Sequence, residues 1–300
     1  MSELRYDGRV AVVTGAGHGL GRQHALELAA RGAKVVVNDL GGDRSGVGAS
    51  AGPAQEVVEE IRKNGGEAVA DPGNVADPEG AAGIVRTAVD TFGKIDIVVN
   101  NAGILRDKSF KNMTVEEFDS VIAVHLRGSF LVSSAAWPHL REQGYGRIVN
   151  TSSPAGLFGN FGQANYATAK MGLVGFTKTL AHEGAKYGIK ANAIAPVAWT
   201  RMTEDLLPAD FADALGVGQV TPLVAYLAHE EIAESGQVYT VGGGRIAKIF
   251  VAEGPGWGTK DALSVESVRD NWAAVNAAEP LTVFNNVGEQ MGPLIQQLTS

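Results

Sequence analysis

Cysteine does not occur in the 300-residue chain. Disulfides, thiolate nucleophiles and cysteine-ligated zinc are excluded together, and no metal is expected. Long apolar runs are missing too: no stretch approaches the roughly 20 residues of a membrane-spanning helix. Residues 1–14 carry charge followed by an apolar strand, not the pattern of a secretory leader, so a cytoplasmic setting is expected. Positive charge is also in short supply. Lysine and arginine total 25 against 33 acidic residues, a formal net charge of −8, which argues against a nucleic-acid backbone as partner. The remainder is ordinary globular material, 45% hydrophobic and 19% charged, and a chain of this length buries about three quarters of its unfolded surface. Intrinsic disorder is excluded.

Glycine is plentiful, at 39 residues of 300, about twice its usual share. Its positions punctuate a repeating pattern. Short, mostly β-branched runs at Val10–Val13, Val35–Val37, Ala68–Ala70, Ile95–Val99, Ile148–Asn150, Lys190–Ile194 and Val238–Val241 alternate with helix-length segments. Strands that are apolar throughout, each followed by a helix, belong to a parallel sheet covered on both faces. Pro53 starts one helix, which stops at Gly65-Gly66, and Asp77-Pro78-Glu79 starts the next. The expectation is an α/β fold: a single doubly wound, Rossmann-like parallel sheet of about seven strands within residues 1–252. Residues 253–300 form a C-terminal extension with helical pattern from Val265 to Ala278.

Directly after the first strand stands Thr14-Gly15-Ala16-Gly17-His18-Gly19-Leu20-Gly21. Glycines 15, 19 and 21 permit a tight turn, close approach of a diphosphate to backbone N–H groups and close packing of the following helix, whose N-terminus adds partial positive charge. The ending lacks the Gly-Lys-Ser/Thr of a nucleotide-triphosphate loop. A turn required only for helix packing is the alternative. The second strand ends at Asp39, where a carboxylate accepts hydrogen bonds from an adenosine ribose and repels a 2′-phosphate, favouring NAD over NADP. Asp39 as a loop cap, or Arg44 as a phosphate clamp, would remove that preference.

Tyr166 and Lys170 stand at i and i+4 in a helical segment, on one face, where an ammonium lowers a phenol pKa from near 10. Ser153 precedes them at the end of a strand-like run. Taken in order, the glycine turn, Asn100-Asn101-Ala102-Gly103, Ser153 and Tyr166-x-x-x-Lys170 resemble the short-chain dehydrogenase/reductase family over about residues 8–245. The resemblance implies hydride transfer at the nicotinamide C4. Tyr166 would be the general acid/base and Ser153 the holder of the substrate oxygen. Lys170 would bond the nicotinamide ribose and lower the tyrosine pKa. It further implies adenine contacts near Asn74 and Val75 and support from Asn101, Ala102 and Gly103. Cofactor contacts are also implied from Ala198 and Thr200, in a stretch that replaces the family's usual Pro-Gly. His125 stands where many members carry asparagine. It is counted with the catalytic residues as a rebuilt proton relay, or else is a buried histidine satisfied by backbone.

Longer stretches, NNAGILRD from Asn100, VHLRGSF from Val124 and GNFGQANY from Gly159, resemble the (3R)-hydroxyacyl-CoA dehydrogenase branch of the family, whose members are also described as hydroxysteroid dehydrogenases. The implied substrate is a 3-hydroxyacyl-CoA of fatty or steroid side-chain type. Arg106, Lys108 and Arg201 would then meet CoA phosphates, or remain solvated loop charges. The same residues would serve a free hydroxysteroid or another secondary alcohol, whereas a noncatalytic NAD-binding protein has no need of Ser153, Tyr166 and Lys170 together. Two helical patterns, Phe118–Leu140 and Tyr166–Leu180, carry apolar faces, the second with Ala167, Gly172 and Gly175. The family resemblance implies a homodimer through these helices, with cover by the C-terminal tail as the alternative.

Overall fold

The computed structural model describes residues 3–199, 210 and 212–299; Thr200 and Arg201 lie outside them. The chain forms two compact units, Met1–Lys248 and Ile249–Ser300. In the first unit, β1 (Val10–Thr14), β2 (Lys34–Asn38), β3 (Glu67–Asp71) and β4 (Ile97–Asn100) alternate with α1 (Gly19–Ala30), α2 (Gly52–Lys63) and α3 (Pro78–Phe92). The chain continues through α4 (Val115–Ile122), a single π turn (Ala123–Arg127), α5 (Gly128–Gln143), β5 (Gly146–Thr151), α6 (Pro154–Phe158), α7 (Ala164–Gly184) and β6 (Ile189–Pro196). It closes with α8 (Thr221–Ala228), β7 (Val238–Gly242) and β8 (Arg245–Ile249).

The local signals act where the sequence places them. Pro53 lies in the first turn of α2 and Arg62 and Lys63 in its last, where cations complement the helix dipole. Asp77 caps α3 by accepting the Gly80 N–H, and Gly93 ends it in the left-handed region. Thr114 and Glu117 form a reciprocal capping box on α4.

One sheet runs in the order β3-β2-β1-β4-β5-β6-β7-β8, and every pair from β3 across to β7 is parallel. Alternation along β1 feeds both faces. Ala11 and Val13 join the core under α1, α2 and α8, while Val10 and Val12 join that under α3, α5 and α7. Each buried valine contributes roughly 1.5–3 kcal/mol. The strand order reverses between β1 and β4, which opens a crevice at their carboxyl ends.

The sheet has one strand more than expected. Gly242-Gly243-Gly244 reads as a terminator, yet Gly243 and Gly244 take φ values of 56° and 74°, as a two-residue hairpin turn requires. So short a link forces β8 to return antiparallel along β7.

In the second unit, β9 (Ala252–Glu253) pairs antiparallel with β10 (Thr282–Val283), accompanied by α9 (Val265–Asp270), α10 (Trp272–Val275) and α11 (Val287–Thr299). Helix α11 escapes the sequence reading because Gly292-Pro293 lies inside it and reads as a breaker. No described helix is long and apolar enough to cross a membrane.

Candidate active site

At the crevice lies a cleft of about 450 Å³ lined by the turn after β1, the loop 42–46, residues 73–76 and residues 101–104. Gly15 and Gly19 have φ values of 61° and 52°, which side-chain-bearing residues rarely adopt. A Cβ on Gly21 would meet the Gly15 carbonyl at 2.2 Å, so Gly21 serves close packing behind the turn, while Gly15, Gly19 and Leu20 line the cleft. Helix α1 has neither a side-chain cap nor an acidic residue in its first turn. Its leading N–H groups therefore have no side-chain acceptor, the condition for seating a diphosphate.

Asn101 braces this turn. Its Nδ2 donates to the carbonyls of Thr14 and Gly15 at 3.0 and 3.1 Å, while Thr14 Oγ1 accepts from the N–H groups of Asn101 and Ala102 at 3.0 and 3.1 Å. Asn101, Ala102 and Gly103 line the cleft with Asn74 and Val75. Asp39 lines it too, with both oxygens engaged: Oδ2 accepts from the Gly17 N–H and Oδ1 from the Gly41 N–H, each at 2.7 Å. A carboxylate offers about four lone pairs, which leaves acceptor capacity beyond this loop-capping role. The residues fit a dinucleotide: an uncapped helix start, a turn without Cβ atoms and a carboxylate at the second strand end. Ala198 packs its methyl group into the core.

Behind the cleft-lining Ile104, to which it is hydrogen-bonded, His125 packs edge-to-face with Tyr166, the centroids 5.1 Å apart. Tyr166 and Lys170 stand one turn apart on α7, and Ser153 caps α6, so the three residues expected to act together are brought together. Ser153 lies close enough to the phenol to favour its ionised form. Lys170 Nζ donates to the Thr151 carbonyl at 2.5 Å and lies 5.4 Å from the Tyr166 ring centroid. Helices α6 and α7 pack tightly here, since a Cβ on Gly156 would lie 2.6 Å from that of Lys170.

The electrostatics run against expectation. Burial pushes Tyr166 up to about 12, offset in part by the Ser153 hydroxyl and reinforced by Asp107. Burial likewise pushes Lys170 down to about 7. Both shifts have the same leading cause, burial that penalises either charge alone. Formed together, phenolate and ammonium attract strongly in the same low dielectric, so a proton passed from the neutral phenol to the neutral amine gives a paired phenolate that can act as the base.

His125 Nε2 contacts the Ile104 N–H at 3.0 Å and the Ile104 carbonyl at 2.8 Å, and its buried Nδ1 has no partner. Burial, joined by the Lys170 charge, keeps the imidazole neutral. Its ring explains Gly103, where a Cβ would meet it at 2.3 Å. Residues that the sequence reading passed over are Gln163 and Asp107, tied to each other at 2.8 Å, and the loop 42–46 as a cleft wall. An Asp-x-Ser turn at Asp43 and Ser45 was the visible signal for that loop.

Fold and site together define a nicotinamide-dependent oxidoreductase acting on CH–OH groups. The chain belongs to the short chain dehydrogenase family, whose profile matches residues 9–209. It is 50% identical over 294 residues to the mouse (Mus musculus) peroxisomal multifunctional enzyme type 2, covering 96% of this chain but only 40% of that enzyme. It is 42% identical over 295 residues to a hydroxyacyl-CoA dehydrogenase of Mycobacterium tuberculosis, with 89% of each chain covered. Among solved structures, a 7α-hydroxysteroid dehydrogenase complexed with NADH and 7-oxo glycochenodeoxycholic acid superposes with a TM-score of 0.73 at 28% identity, covering 81% of this chain and 98% of that one.

Proposed function

We propose that the chain oxidises (3R)-3-hydroxyacyl-CoA with NAD⁺, giving 3-oxoacyl-CoA, NADH and a proton. The observation that carries this reading is the Ser153–Tyr166–Lys170 cluster beside the cleft, with Lys170 buried and Ser153 and Tyr166 half-buried, in a chain with a hydroxyacyl-CoA dehydrogenase among its relatives. Gly15, Gly19, Leu20, Asn74, Val75, Asn101, Ala102 and Gly103 would hold the dinucleotide, and Asp39 would select NAD through its remaining lone pairs. A bound nicotinamide supplies the hydride acceptor. Ser153 holds the substrate oxygen; Tyr166, as the phenolate paired with the Lys170 ammonium, takes the hydroxyl proton and becomes the phenol while hydride leaves the carbinol carbon, and the Thr151 carbonyl orients Lys170. His125 acts through packing, fixing the phenol ring.

The reaction belongs to residues 1–252 in this reading, with 253–300 as an extension, and the active species is a homodimer built on α5 and α7. The cytoplasmic setting expected from the composition is part of the same proposal. A free-steroid dehydrogenase is the second reading, favoured by the fold shared with the steroid enzyme. Turnover of 3-hydroxyacyl-CoA and of hydroxysteroids under identical conditions separates them: kcat/KM higher for the thioester supports the first, and the reverse order overturns it.

A further inference from the structure

The loop 42–46 leaves β2 and reaches across to the segment after β4. Its Arg44 carbonyl accepts from the Leu105 N–H at 2.9 Å, and a Cβ on Gly46 would lie 3.0 Å from the Ile104 side chain. Since β2 and β4 flank β1 in the sheet, the loop passes as a strap in front of the carboxyl end of β1, where the glycine turn begins. The turn and the uncapped start of α1 form one wall of the cleft, and the strap with Ile104 and Arg106 forms another. Asp43 holds the strap in shape: its Oδ1 accepts from the Ser45 N–H, the Ser45 hydroxyl and the Val47 N–H at 2.8, 2.7 and 3.0 Å.

Arg106 lines this cleft and is half-buried. Its backbone is pinned on either side, by the bond from the Leu105 N–H to the strap and by Asn165 Nδ2, which donates to the Arg106 carbonyl at 3.0 Å. Its Nε is buried with no acceptor among the described residues. A buried donor on a charged group is costly to leave unpaired, and such a group persists where a ligand brings the acceptor. Guanidinium groups match phosphate oxygens in paired, charge-assisted bonds. The charge balance of the cleft asks for such a cation: a diphosphate brings two negative charges, and a helix start answers roughly half of one.

We propose that Arg106 is a phosphate-binding residue of the cleft, its guanidinium closing from the strap side on the diphosphate of a dinucleotide seated at the start of α1. The inference rests on the cleft as the cofactor site and adds to it a residue that the glycine turn does not announce.

The test measures affinities for NAD⁺, ADP-ribose and adenosine by competition binding, with no substrate present. Arg106→Gln weakens NAD⁺ and ADP-ribose by about tenfold or more and leaves adenosine, which has no phosphate, within about twofold. Arg106→Lys, which keeps the charge, recovers part of the loss. A merely structural role would weaken adenosine alongside ADP-ribose; that result overturns the assignment, as does an Arg106→Gln protein that binds all three like the wild type. CoA carries the same diphosphate, so kcat/KM for (3R)-3-hydroxybutyryl-CoA is compared with that for the N-acetylcysteamine thioester, which has none. A selective loss on the CoA ester with NAD⁺ affinity kept overturns the dinucleotide assignment and gives Arg106 to CoA. Should Arg106→Gln fail to fold, Arg106→Met is read in the same way. A wild type that binds neither NAD⁺ nor ADP-ribose overturns the cofactor reading itself, and the role of Arg106 with it.

Discussion

Lys170 shows how much a single buried group can cost. Among the described residues its ammonium pairs with the Thr151 carbonyl and with no carboxylate, and burial pushes it down to about 7. The unfolded chain returns it to a pKa near 10.4. Between those values the unfolded state holds a proton that the folded state has shed, so stability rises with pH across about 7 to 10. Lys170→Met should therefore abolish activity yet stabilise the protein at pH 7 by on the order of 1–3 kcal/mol, with the gain shrinking toward pH 10. Urea unfolding of both proteins at the two pH values checks this, and a gain independent of pH contradicts it.

Asp39 makes a kinetic prediction. The wild type prefers NAD over NADP, and Asp39→Ala narrows the gap by removing repulsion of the 2′-phosphate. It should also loosen the Gly17 and Gly41 turns that the carboxylate ties together, so NAD binding weakens at the same time. A wild-type preference for NADP would reject the role. At this scale the pairing of Tyr166 with Lys170 on one helical face was legible from spacing, while Ser153 and the roles of all three came from the family resemblance. The direction of the Tyr166 and Lys170 pKa shifts was not legible, because desolvation depends on walls contributed by distant segments. Gln163 and Asp107 stayed hidden for a related reason: 56 residues separate them.

Among the elements, the seven expected strands and the glycine turn were readable because each is defined by local composition. The π turn at Ala123–Arg127 was not, since the sequence there continues an unbroken helical pattern from α4 into α5. Gly128 donates to Ala123 in place of the usual carbonyl, and such turns concentrate at functional sites; this one carries His125. Helices α5 and α7 leave Phe130 and Met171 exposed, with the Phe130 and Phe176 rings 6.3 Å apart, and a Cβ on Gly175 would meet nothing within 4 Å. In the proposed homodimer that open face is covered by its symmetry mate. Gly175→Glu should then give a folded monomer, because the added carboxylate would be buried unpaired only in the dimer. Sedimentation velocity at micromolar concentration reads the outcome, and a wild type that sediments as an active monomer rejects the interface.

The whole molecule places its chemistry where the strand order reverses. The connections leaving the paired strands β1 and β4 run to opposite faces of the sheet there, the uncapped start of α1 meets the cleft, and Ser153, Tyr166 and Lys170 follow β5 and lie on α7 beside it. Buried polar bonds tie these layers together: Asn100 to Ser133 and Asn150 at 3.0 and 2.8 Å, and Asn150 to Thr177 at 2.9 Å. The central claim is that this edge removes a proton from a (3R)-3-hydroxyacyl-CoA while hydride passes to NAD⁺. The most direct measurement is NADH formation from (3R)- and (3S)-3-hydroxybutyryl-CoA by the wild type and by Tyr166→Phe, with NAD affinity measured alongside. The account predicts NADH from the 3R isomer and little from the 3S. It predicts a loss of about 10²-fold or more in Tyr166→Phe, with NAD binding kept. Equal rates with both isomers, no turnover of either, or wild-type turnover in Tyr166→Phe would contradict it.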